Sequence, residues 1–114
     1  MKDKLYLLRP GFEAGDGATR YCSDSAPVEG VLSFFPQLRD LVEVQYLAFP
    51  RPRETLVSAL GEAYQSLPVL IVAPERILSS AVPNPETVNG SRYFAEESSI
   101  RQYLSAQYGL PQPS

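Results

Sequence analysis

Apolar positions in this chain alternate between short unbroken runs and helical spacings. Residues 4 to 8, KLYLL, form an apolar run that stops at Arg9-Pro10-Gly11, which predicts a buried strand ended by a turn. Residues 10 to 21 are Gly-rich and read as a loop. From Ala26 to Leu38, the apolar positions Val28, Val31, Leu32, Phe35 and Leu38 recur at spacings of three and four, marking one helix face that Pro36 should break or kink. Residues 42 to 49, VEVQYLAF, alternate in the manner of a strand. Arg51-Pro52-Arg53 punctuates, and a second amphipathic helix follows, with Leu56, Val57, Leu60, Ala63 and Tyr64 on one side, ending near Gln65-Ser66. The run PVLIV, 68 to 72, predicts a strand buried on both faces of a parallel or mixed sheet.

Residues 73 to 90 contain Pro74, Pro83, Pro85 and Gly90 with little periodicity and read as a long connection, with a turn of helix around Glu75 to Leu78. SRYFA, 91 to 95, reads as an edge strand. Glu96 to Tyr108 is the clearest helix, with Ile100, Tyr103, Leu104 and Tyr108 on one face and Gly109 and Pro111 to stop it. The order opens with a βαβ unit, which should set the first two strands parallel. The expected fold is α/β: one domain over 1–114, with a central mixed sheet of about four strands flanked by three main helices.

Composition narrows the function classes. The chain has 114 residues, 44% of them apolar, enough for one core. Its 10 Lys and Arg against 13 Asp and Glu give net −3 with no basic run, which argues against nucleic acid. It has no His and one Cys, so His-based triads, zinc sites and an internal disulfide drop out and no metal is expected. The apolar run before Arg9 is too short for a signal peptide, and nowhere do 18 apolar residues run together, so no membrane association is expected and the location reads as cytoplasmic. A lone thiol fits a reducing compartment, where glutathione chemistry is permitted. Monomer and homodimer both stay open.

Cys22 is the residue with the most chemistry to offer. It stands at the start of the first helix, where free N–H groups and the helix dipole favour thiolate over thiol. Arg20 would act in the same direction and Asp24 against it. The alternative is a small buried apolar side chain, although Arg20, Ser23, Asp24 and Ser25 around it predict partial exposure. Leu67-Pro68 lies where the second helix gives way to a buried strand. A cis bond there would leave the Leu67 backbone free to pair with an extended peptide-like ligand; a trans proline opening a strand is the commoner alternative.

Together these features resemble the thioredoxin superfamily over almost the whole chain. Cys22-Ser23-Asp24-Ser25 stands where that family has C-x-x-C or C-x-x-S, and Leu67-Pro68 where it has its cis-proline. The segment EESSIRQYLSAQYG, 96 to 109, resembles the end of the N-terminal domain of glutathione S-transferases, which implies that Glu97 and Ser98 bind the γ-glutamyl end of glutathione. Ser98 or Ser99 acting as the helix N-cap is the compatible alternative. KDKLYLLRPGFE, EGVL, FPRPR and SLPVL are similar to a bacterial family of small thioredoxin-like proteins without an established activity; residues 74 to 90 carry that likeness least.

Departures from the pattern limit what the resemblance implies. Ser25 replaces the second cysteine, so one chain cannot run a dithiol cycle. A longer segment than in glutaredoxins separates the first strand from Cys22. Pro27 suggests that the helix begins at Ala26, a turn beyond Cys22. The all-helical second domain of glutathione transferases is not among these residues, so a full transferase is not expected. Arg51 and Arg53, after the second strand, face either a glycyl carboxylate or solvent.

The expected function is that of a monothiol, glutathione-linked thiol–disulfide oxidoreductase of glutaredoxin type, with glutathione or a thiol-containing protein as partner. Cys22 is the expected nucleophile and Ser25 hydrogen-bonds its thiolate, while Leu67, Pro68, Glu97, Ser98 and Arg20 contact glutathione. The alternative is a non-catalytic binding or interaction module on the same fold. Iron–sulfur sharing between two chains ranks below both, because Ser23-Asp24 lacks the glycine and aromatic expected after the cysteine.

Overall fold

The computed structural model describes residues 1–114. In chain order its elements are β1 (Asp3–Leu8), β2 (Phe12–Glu13), β3 (Thr19–Arg20), α1 (Ser25–Phe34), α2 (Leu38–Leu41), β4 (Val42–Leu47), α3 (Glu54–Leu60), β5 (Val69–Ile71), β6 (Glu86–Val88), β7 (Ser91–Phe94) and α4 (Glu97–Tyr108). Five strands form a mixed sheet in the order β4-β1-β5-β7-β6, and β2 pairs with β3 in a separate hairpin. β1 runs parallel to β4 from Asp3↔Val42 to Leu8↔Leu47, as a βαβ unit requires. β5 is antiparallel to β1, and β7 is antiparallel to β5.

Alternation along β1 divides the interior in two. Leu5 and Leu7 join Val28, Leu32, Ile100, Tyr103 and Leu104 in the larger core under α1 and α4. Tyr6 turns to the opposite face and packs with Leu56, Leu60, Val69 and Tyr93 under α3. No helix is long and apolar enough to cross a membrane.

Several sequence expectations are corrected by the fold. The sheet has five strands, because the 73–90 connection contains β6. β6 and β7 are joined by Asn89-Gly90, whose φ values of 49° and 79° suit a two-residue hairpin turn. β6 is therefore the edge and β7 lies inside the sheet. Residues 75 to 78 carry no helix; a single turn closes where the Arg76 N–H donates to the Ala73 carbonyl at 3.0 Å. α3 stops at Leu60, short of Gln65, because Gly61 adopts φ 114°, a backbone that side chains other than hydrogen resist. α1 ends before Pro36, and α2 takes up the remaining apolar positions.

A buried carboxylate ties the connection after β5 to the sheet. Asp3 is 0% exposed and accepts the Ala73 N–H at 2.8 Å, Arg76 Nε at 3.2 Å, the Tyr108 hydroxyl at 2.7 Å and the Tyr103 hydroxyl. Burial pushes its pKa up, but these donors and the Arg76 charge together outweigh burial and hold it below the ordinary 3.8. Burial and the neighbouring Asp3 carboxylate push both tyrosine hydroxyls well above their ordinary value.

Candidate functional site

Strand directions decide which loops meet. β1, β4 and β7 all point one way and β5 the other, so the carboxyl ends of the first three and the amino end of β5 share one end of the sheet. That end receives the segment leading to Cys22, the Arg51-Pro52-Arg53 stretch, the entry to α4 and the Leu67-Pro68 step into β5. Neighbouring strands lie about 4.8 Å apart, so the ends of β1 and β7 are separated by roughly 10 Å.

The β2–β3 hairpin folds the intervening chain back to this end. Gly11 N–H donates to the Arg20 carbonyl at 2.8 Å, and the Phe12 ring stacks on Phe49 with centroids 4.4 Å apart, pinning the hairpin to the chain after β4. Tyr21 and Cys22 follow directly, so the extra chain length between β1 and Cys22 is consumed by a hairpin that returns.

Helical hydrogen bonding begins at Cys22. Its carbonyl accepts the Ala26 N–H at 3.1 Å and its sulfur accepts the Ser25 N–H at 3.3 Å, which is the pattern of an N-cap side chain with sulfur in place of the usual oxygen. Asp24 already has helical dihedrals, φ −86° and ψ −27°. α1 itself begins at Ser25, one residue before the expected Ala26, but the hydrogen-bonded turn that precedes it keeps the thiol against the helix end instead of a turn away. Pro27 is tolerated because the carbonyl it leaves without a partner belongs to Ser23, an exposed residue.

On the other side of the sulfur is the Leu67 carbonyl oxygen, 4.0 Å away, at the outer limit of an S–H···O contact. The Leu67–Pro68 peptide is cis, as is Arg51–Pro52. Leu67 lies outside β5 and its N–H takes no backbone partner. Cys22 itself is partly exposed.

Ser25 sits beside Cys22 but uses its groups differently from expectation. Its hydroxyl oxygen accepts the Leu8 N–H at 3.2 Å, which fastens the first turn of α1 to the end of β1. Its backbone N–H is the group that reaches the sulfur. Arg20 does not turn to the thiol: its guanidinium is exposed and pairs with Asp16, whose other oxygen accepts the Ala18 N–H at 3.1 Å.

Arg53 ties together the chain after β4 and the segment that leads to Leu67. Its Nε donates to the Ala48 carbonyl at 3.3 Å, Nη1 to the Gln65 carbonyl at 2.7 Å and Nη2 to the Phe49 carbonyl at 2.7 Å. Burial, joined by the nearby Arg51 charge, lowers its pKa from the usual value, and the negative charge of a Cys22 thiolate works against both, within Coulombic reach. Arg53 is thus neither solvated nor a free carboxylate clamp; it braces the two loops that flank the sulfur. Arg51 is exposed.

At the entry to α4, Glu96 holds the cap position without a side-chain cap bond, and its carbonyl accepts the Ile100 N–H at 3.0 Å. The expected Ser98 or Ser99 cap is corrected accordingly, since both serines lie inside the first turn. The Glu97 carboxylate pairs with Arg101 Nε at 2.6 Å. The structure thus brings Cys22, Ser25, Leu67 and Pro68 into one cluster and sets Glu97 and Ser98 at the same end of the sheet, two strands away.

A family model described as "Protein of unknown function (DUF3088)" matches residues 2–112. The chain belongs to that family. No curated protein and no solved structure matches it.

In this DUF3088 member, three parts of the site had no sequence signal. Gln65, 6% exposed, accepts the Arg53 N–H on its side-chain oxygen at 2.6 Å and donates from Nε2 to the Glu62 carbonyl at 2.8 Å. Glu29 and Tyr46 meet beside the first turn of α1 from separate elements. An apolar cavity of about 200 Å³ opens next to Cys22. A larger hollow of about 290 Å³, around Lys2, Lys4, Ile71 and Arg92, lies toward the opposite end of β1, away from Cys22.

Proposed function

We propose that this chain is a thioredoxin-like, glutathione-linked monothiol exchange protein acting through Cys22. The observation that carries the reading is the double setting of the sulfur: a hydrogen bond from the Ser25 N–H at 3.3 Å on one side and the Leu67 carbonyl at 4.0 Å on the other. The sulfur thus stands at the first turn of α1, partly exposed and within reach of a ligand paired to the Leu67 backbone. The parallel β1–α1–β4 unit joined to the antiparallel β5–β7 pair supports the thioredoxin-like part, with β6 an added edge.

In the forward step the Cys22 thiolate bonds to the glutathionyl sulfur of a mixed disulfide, the old S–S bond breaks, and the released thiolate takes a proton from water. A reduced glutathione then attacks the Cys22–glutathione disulfide, restores the Cys22 thiolate and leaves as glutathione disulfide. Electrons balance over the two steps, and glutathione is the reductant. The Leu67 backbone pairs the tripeptide, and Glu97 with Ser98 at the start of α4 receives its γ-glutamyl ammonium and carboxylate. Glutathione binding requires Glu97 to share or release Arg101.

The test is turnover of a small glutathione mixed disulfide with reduced glutathione present, followed beside intact-mass detection of a glutathione adduct. The expected result is catalysed exchange and an adduct, both lost in Cys22→Ser. Equal rates with and without Cys22 would overturn the reading and leave the non-catalytic binding module in its place.

A further inference from the structure

The two sides of the Cys22 sulfur differ in character. Toward β5 stands the polar Leu67 carbonyl. Toward β4, on the other side of β1, the sulfur borders the cavity of about 200 Å³, whose walls include Leu8, Pro10, Tyr21, Ala26 and Tyr46. Glu29 is the one charged residue on that wall, and its carboxylate is already engaged: one oxygen accepts the Tyr46 hydroxyl and the other an Arg39 guanidinium N–H. Arg39 Nη1 also donates to the Tyr46 hydroxyl oxygen at 3.2 Å. The Ser25 hydroxyl oxygen is taken by the Leu8 N–H.

Apart from the Cys22 sulfur itself, the cavity offers no uncommitted charge. An anionic substituent entering it would lose hydration without gaining a partner, whereas an apolar one would leave water for apolar walls. Size sets the other limit: an apolar cavity of about 150 Å³ holds a benzene ring, so this one has room for a ring and a methylene.

We infer that the cavity receives the organic group R of the mixed disulfide R–S–S–G, and that R is neutral, apolar and of about benzyl size. The inference rests on the thiol–disulfide reading of Cys22. The glutathionyl half lies toward Leu67 and α4, and R lies toward β4, with the scissile S–S bond between them. The Cys22 thiolate bonds to the glutathionyl sulfur, the S–S bond breaks, R–S⁻ leaves with the electron pair and is protonated by water, and glutathione supplies the reducing equivalents as above.

Two measurements test this. Exchange rates are compared for the glutathione mixed disulfides of benzyl thiol and of 2-sulfanylethanesulfonate, each divided by its uncatalysed rate. The expected preference for the benzyl compound is at least roughly tenfold, and Ala26→Trp, which fills the cavity from an exposed helix position, brings the ratio to about one by lowering the benzyl rate. Ala26→Leu, a smaller change, gives an intermediate ratio if the tryptophan variant does not fold. In parallel, amide NMR of Cys22→Ser with benzyl methyl sulfide, which cannot exchange, is expected to shift Leu8, Ala26 and Tyr46. Exchange without a benzyl preference, or unmoved amides, overturns the cavity assignment alone. No catalysed exchange with either disulfide overturns the thiol–disulfide reading, and the role of the cavity with it.

Discussion

Arg53 and Gln65 hold each other twice: the guanidinium donates to the Gln65 backbone carbonyl at 2.7 Å, and the Gln65 side-chain oxygen takes the Arg53 N–H at 2.6 Å. The remaining arms of Arg53 reach Ala48 and Phe49, so one side chain couples the chain after β4 to the segment that enters β5 through Leu67. Hydrogen bonds from a charged donor are worth about 1.5–3 kcal/mol each when well made, and less when part-exposed. Arg53→Ala is expected to lower unfolding stability by about 2 kcal/mol in urea titration and to slow mixed-disulfide exchange. Arg53→Lys should not rescue either, because a single ammonium cannot span three carbonyls. Full rescue by lysine would show that charge alone, and not the fork, is what the loops require.

The proposed exchange role of Cys22 and its place at the helix start are separated by substitution. Serine is a preferred N-cap, so Cys22→Ser is expected to keep or slightly raise thermal stability while abolishing the glutathione adduct. Cys22→Ala loses both the chemistry and the cap, at a cost of about 1 kcal/mol. Thermal unfolding and intact-mass spectrometry read the two roles independently; equal stability of the serine and alanine variants would remove the capping role from the sulfur.

The α4 entry carries the glutathione assignment. Glu97→Gln and Ser98→Ala are each expected to weaken glutathione binding about tenfold, or 1.4 kcal/mol, by titration calorimetry. Unchanged affinity in both would detach this helix end from the ligand. Arg101→Ala, which frees the Glu97 carboxylate, should leave binding equal or stronger.

Asp3 gives the fold a pH signature. Its folded pKa lies below the unfolded 3.8, so its contribution is fully present above that value and is lost as pH falls through the lower folded pKa. Tyr103 and Tyr108 have raised folded pKa values, so their contribution is present below the unfolded value near 10 and is lost as pH rises through the folded ones. Asp3→Asn is expected to cost about 3 kcal/mol at pH 7 and to flatten the acid limb of stability against pH. An acid limb as steep in the variant as in the parent would assign it to other carboxylates.

Spacing along the chain was enough to find what depends on local amphipathicity. Val28 and Leu32 on α1 and Ile100, Tyr103 and Leu104 on α4 are buried where their periodicity places them, and the unbroken apolar run of β1 is buried on both faces of the sheet, because a helix or strand must turn its apolar side chains inward. The place of Cys22 near a helix start was legible, but Pro27 left open whether the thiol touches the helix end, and that contact is decided by the fold. The Asn89-Gly90 pair that turns the β6–β7 hairpin is masked in the sequence by the proline-rich composition before it, which reads as loop.

What the sequence by itself determined, then, is a βαβ start, the apolar faces of its helices, a single cysteine and the absence of histidine. Only the tertiary structure decided that Cys22 meets Leu67 across 45 residues, that Arg53 braces Gln65, that Arg20 turns away to Asp16, and that Asp3 gathers partners 70 to 105 positions distant. The reason is physical: burial patterns follow from neighbours along the chain, whereas these contacts depend on the strand order and on the direction in which each strand enters the sheet.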